Sequence, residues 1–181
     1  MTSPTSPSPT AAATLNQFAD LLGAAQHSAV HLEMREAYDV GDPYFTAWVA
    51  GESFDRSERD QMWAGILAGP ISRGVVMRRA RIVSEPVTDY IRYEHSITDG
   101  CNIAAGERVG WLPRRQASDL ALPGNDFWLF DGSTVVFNLF TGDGQWAGDE
   151  VSTDPAVAAL CAAAFEAVWG RAVPHQEYRP A

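Results

Sequence analysis

Residues 127–140 read Phe127-Trp128-Leu129-Phe130-Asp131-Gly132-Ser133-Thr134-Val135-Val136-Phe137-Asn138-Leu139-Phe140. Two runs rich in aromatic and β-branched side chains flank an Asp-Gly pair, the dipeptide whose tolerance of positive φ closes tight hairpins. The pattern predicts antiparallel strands over 127–130 and 135–140. It is the only close strand pair in the chain, and it comes late.

Upstream of it, helices and strands alternate. Thr14 is the expected N-cap of a helix reaching Gln26, with Leu15, Phe18, Leu22 and Ala25 at helical spacing. A period-2 run follows: Val30, Leu32 and Met34 point one way, His31, Glu33 and Arg35 the other. Asp42-Pro43 opens a short helix that Gly51 ends, and Ser57 with Asp60 opens another that stops at Gly69-Pro70. Val75–Val83 reads as a strand, Thr88 caps a helix closed by Gly100, and Glu107–Leu112 is a strand that Pro113 ends. Downstream, Asp154-Pro155 starts a last helix, with Val157, Leu160, Cys161, Ala164, Phe165 and Val168 inward and Gly170 as its stop. Alternation with one late hairpin predicts an α/β fold, a mixed β-sheet flanked by helices. The expected organisation is a disordered Thr/Ser/Pro-rich tail over 1–13 and a single domain over 14–181.

Composition narrows the function. The chain has 181 residues and 46% apolar side chains, enough for a core without disulfide or metal. Thirteen basic against 23 acidic groups give a net charge of −10, which opposes nucleic-acid and anionic-membrane partners. All 13 basic residues are arginine. Schiff-base chemistry and a Walker A lysine are therefore excluded. Cys101 and Cys161 lack the spacing of a zinc site or a disulfide framework, and neither His27 nor His95 has a second ligand at metal spacing, so neither metal nor cofactor is expected. Residues 1–13 lack the charged and apolar regions of a signal peptide, and no apolar run reaches membrane-span length; a cytoplasmic location is expected.

Candidate chemistry concentrates in a few places. His31, Glu33 and Arg35 on one strand face would supply a base, an acid and a cation. Arg73, Arg78, Arg79 and Arg81 form the one basic patch, and Arg81 is the expected anion partner. Tyr90 and Glu94 share a helix face at i, i+4. The Gly142–Gln145 turn has no helix behind it and makes a poor phosphate cradle.

Several stretches together carry a resemblance. His31-Leu32-Glu33-Met34-Arg35-Glu36-Ala37-Tyr38, Arg81–Tyr90, Ala105-Gly106-Glu107, Asp126–Asp131, Phe165–Trp169 and Pro174–Tyr178 resemble a family of uncharacterised actinobacterial proteins over about residues 14–178. The resemblance implies a setting beside helix-turn-helix regulators. More distantly, the order of strands around Arg81-Ile82-Val83 and Val109-Gly110-Trp111, then Phe130-Asp131-Gly132, Glu150 and a helix ending in Trp, looks like the phospholipase D fold. That family attacks phosphodiesters with a His-x-Lys pair followed by an Asp. If Asp131 matches that Asp, Gly124 and Asp126 stand where the His and Lys should be. Glu150 resembles a His-orienting Glu with no His to orient.

These readings converge on a non-catalytic binding or regulatory domain. It would act as a sensor or accessory to a helix-turn-helix regulator and would form a homodimer. Its ligand pocket is expected at the carboxyl ends of the strands, near Arg81, Glu85, Tyr90, Arg114, Asp126 and Trp128. Two alternatives remain. One is a hydrolase using His31 and Glu33 as acid and base. The other is a protein–protein adaptor presenting Trp111, Trp128 and Trp146 as an exposed patch.

Overall fold

The structure, a computed structural model, describes the backbone of residues 9–181 and the side chains of residues 17–181. The elements run α1 (Pro9–Ala24), β1 (Ser28–Glu33), α2 (Pro43–Val49), α3 (Ser57–Ser72), β2 (Val76–Val83), α4 (Asp89–Thr98), β3 (Arg108–Pro113), β4 (Phe127–Phe130), β5 (Thr134–Phe140), β6 (Trp146–Ser152), α5 (Pro155–Trp169) and β7 (Val173–Pro174). A π-helical turn, Asp99–Ile103, extends α4, and a 3-10 turn follows β3.

The seven strands form one mixed sheet in the order β6-β5-β4-β1-β2-β3-β7. β1, β2 and β3 are parallel, whereas β4 runs antiparallel to β1 and begins the β4-β5-β6 meander. This is the expected mixed α/β sheet. The hairpin closes at Asp131, which takes a positive φ of 48°, and Gly132 at 67°.

Alternation along the strands gives the sheet two different faces. One carries Val30, Leu32, Ala80, Ile82, Leu112, Phe127, Leu129 and Val135 and is covered by α5 through Cys161, Phe165 and Val168. The α5 start follows from its sequence: Asp154 accepts from Ala156 N, and proline occupies the first turn.

The other face holds two apolar clusters with polar residues between them. In one, Leu22 of α1 and Leu67 of α3 pack with Ala25, Ala29, Met77, Trp128 and Phe130. In the other, Ile91 of α4 and Tyr178 pack with Val83, Val109 and Trp111. Tyr178 stacks on Trp111 (centroids 5.5 Å apart, planes 7° apart), and Trp111 Nε1 donates to His175 Nδ1 at 3.1 Å.

Some boundaries differ from the sequence reading. α1 starts at Pro9, five residues ahead of Thr14; residues 1–8 of the expected tail, and the Leu15 side chain, lie outside the described residues. α3 continues through Pro70 to Ser72, because a proline in the last turn forfeits only one hydrogen bond. β6 and β7 were not expected.

A buried ionic network and the cavity above it

Register assembles the site. His31 of β1 lies opposite Arg79 of β2 and Trp128 of β4, and Glu33 lies opposite Arg81. All four polar residues therefore share the second face, where each is less than a tenth exposed.

Arg79 is the hub. It donates to Glu33, to Glu107 through Nε (2.9 Å), and from Nη1 to His31 Nδ1 (2.7 Å). An arginine only donates, so His31 Nδ1 accepts and its proton sits on Nε2, facing Asn138 Oδ1 at 3.3 Å. Trp128 stacks beneath His31 (centroids 4.2 Å apart), and Arg79 lies over both the Trp128 ring (5.2 Å) and the Trp63 ring (5.8 Å). Glu107 also accepts from Trp63 Nε1 and Asn102 Nδ2, each at 2.7 Å. Arg81 donates to Glu33 and to Thr98 Oγ1 (3.0 Å), pairs with Glu94 (2.8 Å), and lies over the Trp111 ring.

Each protonation state has a physical cause. Burial, reinforced by the Arg79 charge, pushes His31 down to about 3, so it is neutral and forms no ion pair with Glu33 at 3.5 Å. Burial works against a charged Glu33, but Arg79 and Arg81 outweigh it and hold the group below the ordinary carboxylate range. Burial raises Tyr38 well above its ordinary value, and the Glu33 and Asp126 charges add to the rise.

Above this network a cavity of ≈ 260 Å³ is bounded by Glu33, Glu94, Arg56, Trp63 and Cys101, among others. The π-helical turn builds part of its wall, since an extra residue in the turn rotates the helix face and brings Cys101 and Asn102 to it. Burial pushes the Cys101 thiol up to about 11. Arg56 donates to Tyr93 OH (2.6 Å) and Asp60 (3.2 Å), while its buried Nε has no acceptor.

The residues expected at one pocket are distributed over several places. Arg81 borders the network cavity. Trp128 is the floor under His31, and Tyr90 packs among Phe45, Tyr93 and Tyr38 with its hydroxyl accepting from Asp39 N. Asp126 is buried and anchors the loop after β1, accepting from Met34 N (2.8 Å) and Tyr38 OH (2.6 Å). Arg114 does border a cleft of ≈ 640 Å³ at the carboxyl ends of β1 and β2, and Arg35 joins it, lying 4.2 Å over Phe140. Glu85 pairs with Arg115 (3.4 Å) in a smaller recess and accepts from Tyr178 OH.

Of the alternative trio, His31 and Glu33 stand together in the network, while Arg35 lies beyond the strand. The basic patch is dispersed. Arg78 points to the opposite face and pairs with Glu166 (2.6 Å), and Arg73 donates to the Gly23 and Ala25 carbonyls. Trp111 and Trp128 are buried, so the three-tryptophan patch does not form. Arg79, Glu107, Arg56, Trp63 and Asn102 were missed as site residues. Arg79 has the same strand parity as Arg81, and that was the available signal.

The fold is that of the phospholipase D class. It resembles Nuc, a phospholipase D family member from Salmonella typhimurium, with a TM-score of 0.50 at 12% identity, covering 91% of this chain and 90% of that one. TrmBL2, an archaeal chromatin protein with a novel mode of DNA binding, aligns with a TM-score of 0.49 at 12% identity over 88% of this chain and 49% of TrmBL2, so this chain spans about half the archaeal protein's length. The chain itself belongs to DUF6879, a domain of unknown function whose family model matches residues 16–180. Among curated proteins none matches by sequence.

The positions suggested for the catalytic pair carry other residues, as the sequence indicates: Gly124 is exposed in a loop, Asp126 is engaged as described, and Glu150 is exposed on β6. Among the described residues no group of three or more His, Cys, Asp or Glu could hold a metal, and no helix is long and apolar enough to cross a membrane.

Proposed function

We propose that this chain is a non-catalytic ligand-binding domain that recognises a small molecule in the cavity above the Arg79 network. It would serve as the sensor or accessory partner of a helix-turn-helix regulator and would assemble as a homodimer. The family resemblance motivates the partner and the dimer. One observation carries the binding reading: the polar atoms of His31 and Glu33 are consumed by hydrogen bonds inside the protein, while the network they belong to forms a wall of a cavity. A general base needs a free lone pair. His31 Nδ1 has given its lone pair to Arg79.

The test is a thermal-shift screen of small metabolites on the wild-type protein and on Ile97→Trp, which fills the cavity from Ile97, a lining side chain outside the network. Binding to the native state raises the melting temperature, and the rise is expected to vanish in Ile97→Trp. A shift that persists in the variant would place recognition elsewhere. Ester hydrolysis that disappears in His31→Asn would overturn the non-catalytic reading.

A further inference from the structure

The charges of the network beneath the cavity do not balance. Glu33, Glu94 and Glu107 supply three carboxylates to ion pairs in which Arg79 and Arg81 supply two guanidinium groups; Arg56, which borders the cavity, is matched by its separate pair with Asp60. The nearby His31 cannot make up the difference, because its Nδ1 lone pair faces Arg79. One formal negative charge is therefore uncompensated in a largely desolvated setting, where unpaired charge is costly.

Glu94 is where that charge meets the cavity. Its Oε2 faces Arg81, its side chain keeps 18% exposure, and no other side-chain donor reaches its carboxylate among the described residues. The surroundings report the same negative field: the Tyr90 hydroxyl is raised by burial and then by Glu94. A second, independent feature borders the same cavity. The Arg56 side chain is only 9% exposed, and its Nε–H has no acceptor. Trp63 and Tyr38 add aromatic surface to the lining, of a kind that suits an organic cation.

We infer that the cavity takes a small organic monocation carrying a neutral oxygen acceptor, as in an amino amide or amino alcohol. Its ammonium pairs with Glu94 and its oxygen accepts from Arg56. This inference rests on the proposed ligand-binding role and adds the chemical class. It also accounts for the network's odd charge, which the ligand completes.

Cys101, on the cavity wall, provides the readout, while Cys161 is fully buried on the inner side of α5, against the opposite face of the sheet, and is resolved from it by peptide mapping. The native protein is treated with a neutral methyl, a cationic 2-aminoethyl or an anionic 2-sulfonatoethyl methanethiosulfonate. Each rate is divided by that of the urea-unfolded chain. The cationic reagent is expected to exceed the anionic one by about tenfold, in line with electrostatic focusing in a charged cleft, and Glu94→Gln is expected to bring that ratio toward one. Leucinamide should protect Cys101 from the methyl reagent, whereas neutral N-acetylleucinamide and anionic N-acetylleucine should not.

A ratio at or below one, or protection by N-acetylleucine in place of leucinamide, overturns the charge class and leaves the binding role standing. Leucinamide protection undiminished in Glu94→Gln also overturns it. If the neutral reagent leaves Cys101 unmodified in the native protein, the cavity is closed to small molecules and the binding role falls with it.

Discussion

Arg79 Nη1 lies 2.7 Å from His31 Nδ1, and this contact decides what His31 can do. The imidazole is held as the Nε2–H tautomer beneath a guanidinium, so protonation would set two positive groups together. The His31 ring protons should show no titration between pH 5 and 8 by NMR, since the group is pushed down to about 3. A folded value below the unfolded one means that His31 contributes stability above pH 6.5 that is lost as pH falls toward 3. A titration near pH 6.5 would show that the contact does not persist in solution.

Neighbouring arginines on β2 should differ sharply. Removing Arg79 leaves the buried Glu107 without its cation and Glu33 with Arg81 alone, so Arg79→Ala is expected to cost about 3–5 kcal/mol. Arg78 points the other way, to a Glu166 that is 58% exposed. Its alanine variant should cost about 1 kcal/mol or less. Urea unfolding of both variants checks the pair, and equal losses would contradict the two-faced sheet.

Asp126 should give the protein an opposing pH dependence. Burial raises this carboxyl to about 6, against the hydrogen bonds from Tyr38 and Met34 that favour its charged form. A raised acid favours the folded state most when protonated, and that contribution is lost as pH rises through about 6. A neutral carboxamide at this position could still accept from Met34 N and donate to Tyr38. Asp126→Asn is therefore expected to be more stable than wild type by about 1–3 kcal/mol at pH 7.5, with the advantage shrinking by pH 4. Denaturation curves at the two pH values decide it, and a constant difference would mean that Asp126 titrates normally.

Asp131 ties the hairpin to the start of β1. Its carboxylate accepts from Gln26 N (2.8 Å), His27 N (2.8 Å) and Ser28 N (2.9 Å) while its backbone sits at positive φ. Asp131→Ala should cost about 2 kcal/mol through lost charge-assisted hydrogen bonds and backbone strain. Asp131→Asn, which tolerates that φ and keeps an acceptor, should cost less. Thermal unfolding of both variants ranks them, and equal losses would assign the effect to the carboxylate's charge and not to the turn.

Local chemistry made much of the fold legible. Asp131-Gly132 marked the hairpin, Asp42 and Asp154 marked helix starts, and both capping side chains accept from the second residue on. β6 escaped because Trp146–Ser152 is an edge strand with no consistent inner face, and Gly148 breaks its alternation. The site was half visible. Parity placed His31 and Glu33 on one face, but the parallel partner that sets Arg79 and Arg81 beside them lies 48 residues downstream, and nothing local specifies that register. Cys101 and Asn102 were hidden for another reason: a π-helical turn shifts the helical phase, so spacing at 3.6 residues points them elsewhere.

The place of β1 in the sheet has a consequence for synthesis. It pairs with β2 on one side, but its other neighbour, β4, begins at Phe127. At roughly 5–20 residues per second, a nascent chain carries β1 with one bare edge for on the order of ten seconds before the ribosome delivers the strand that covers it. The early β1-β2-β3 block must wait for the late meander. Co-expressed halves divided in the exposed loop at Gly124-Asn125 should find each other by that same edge.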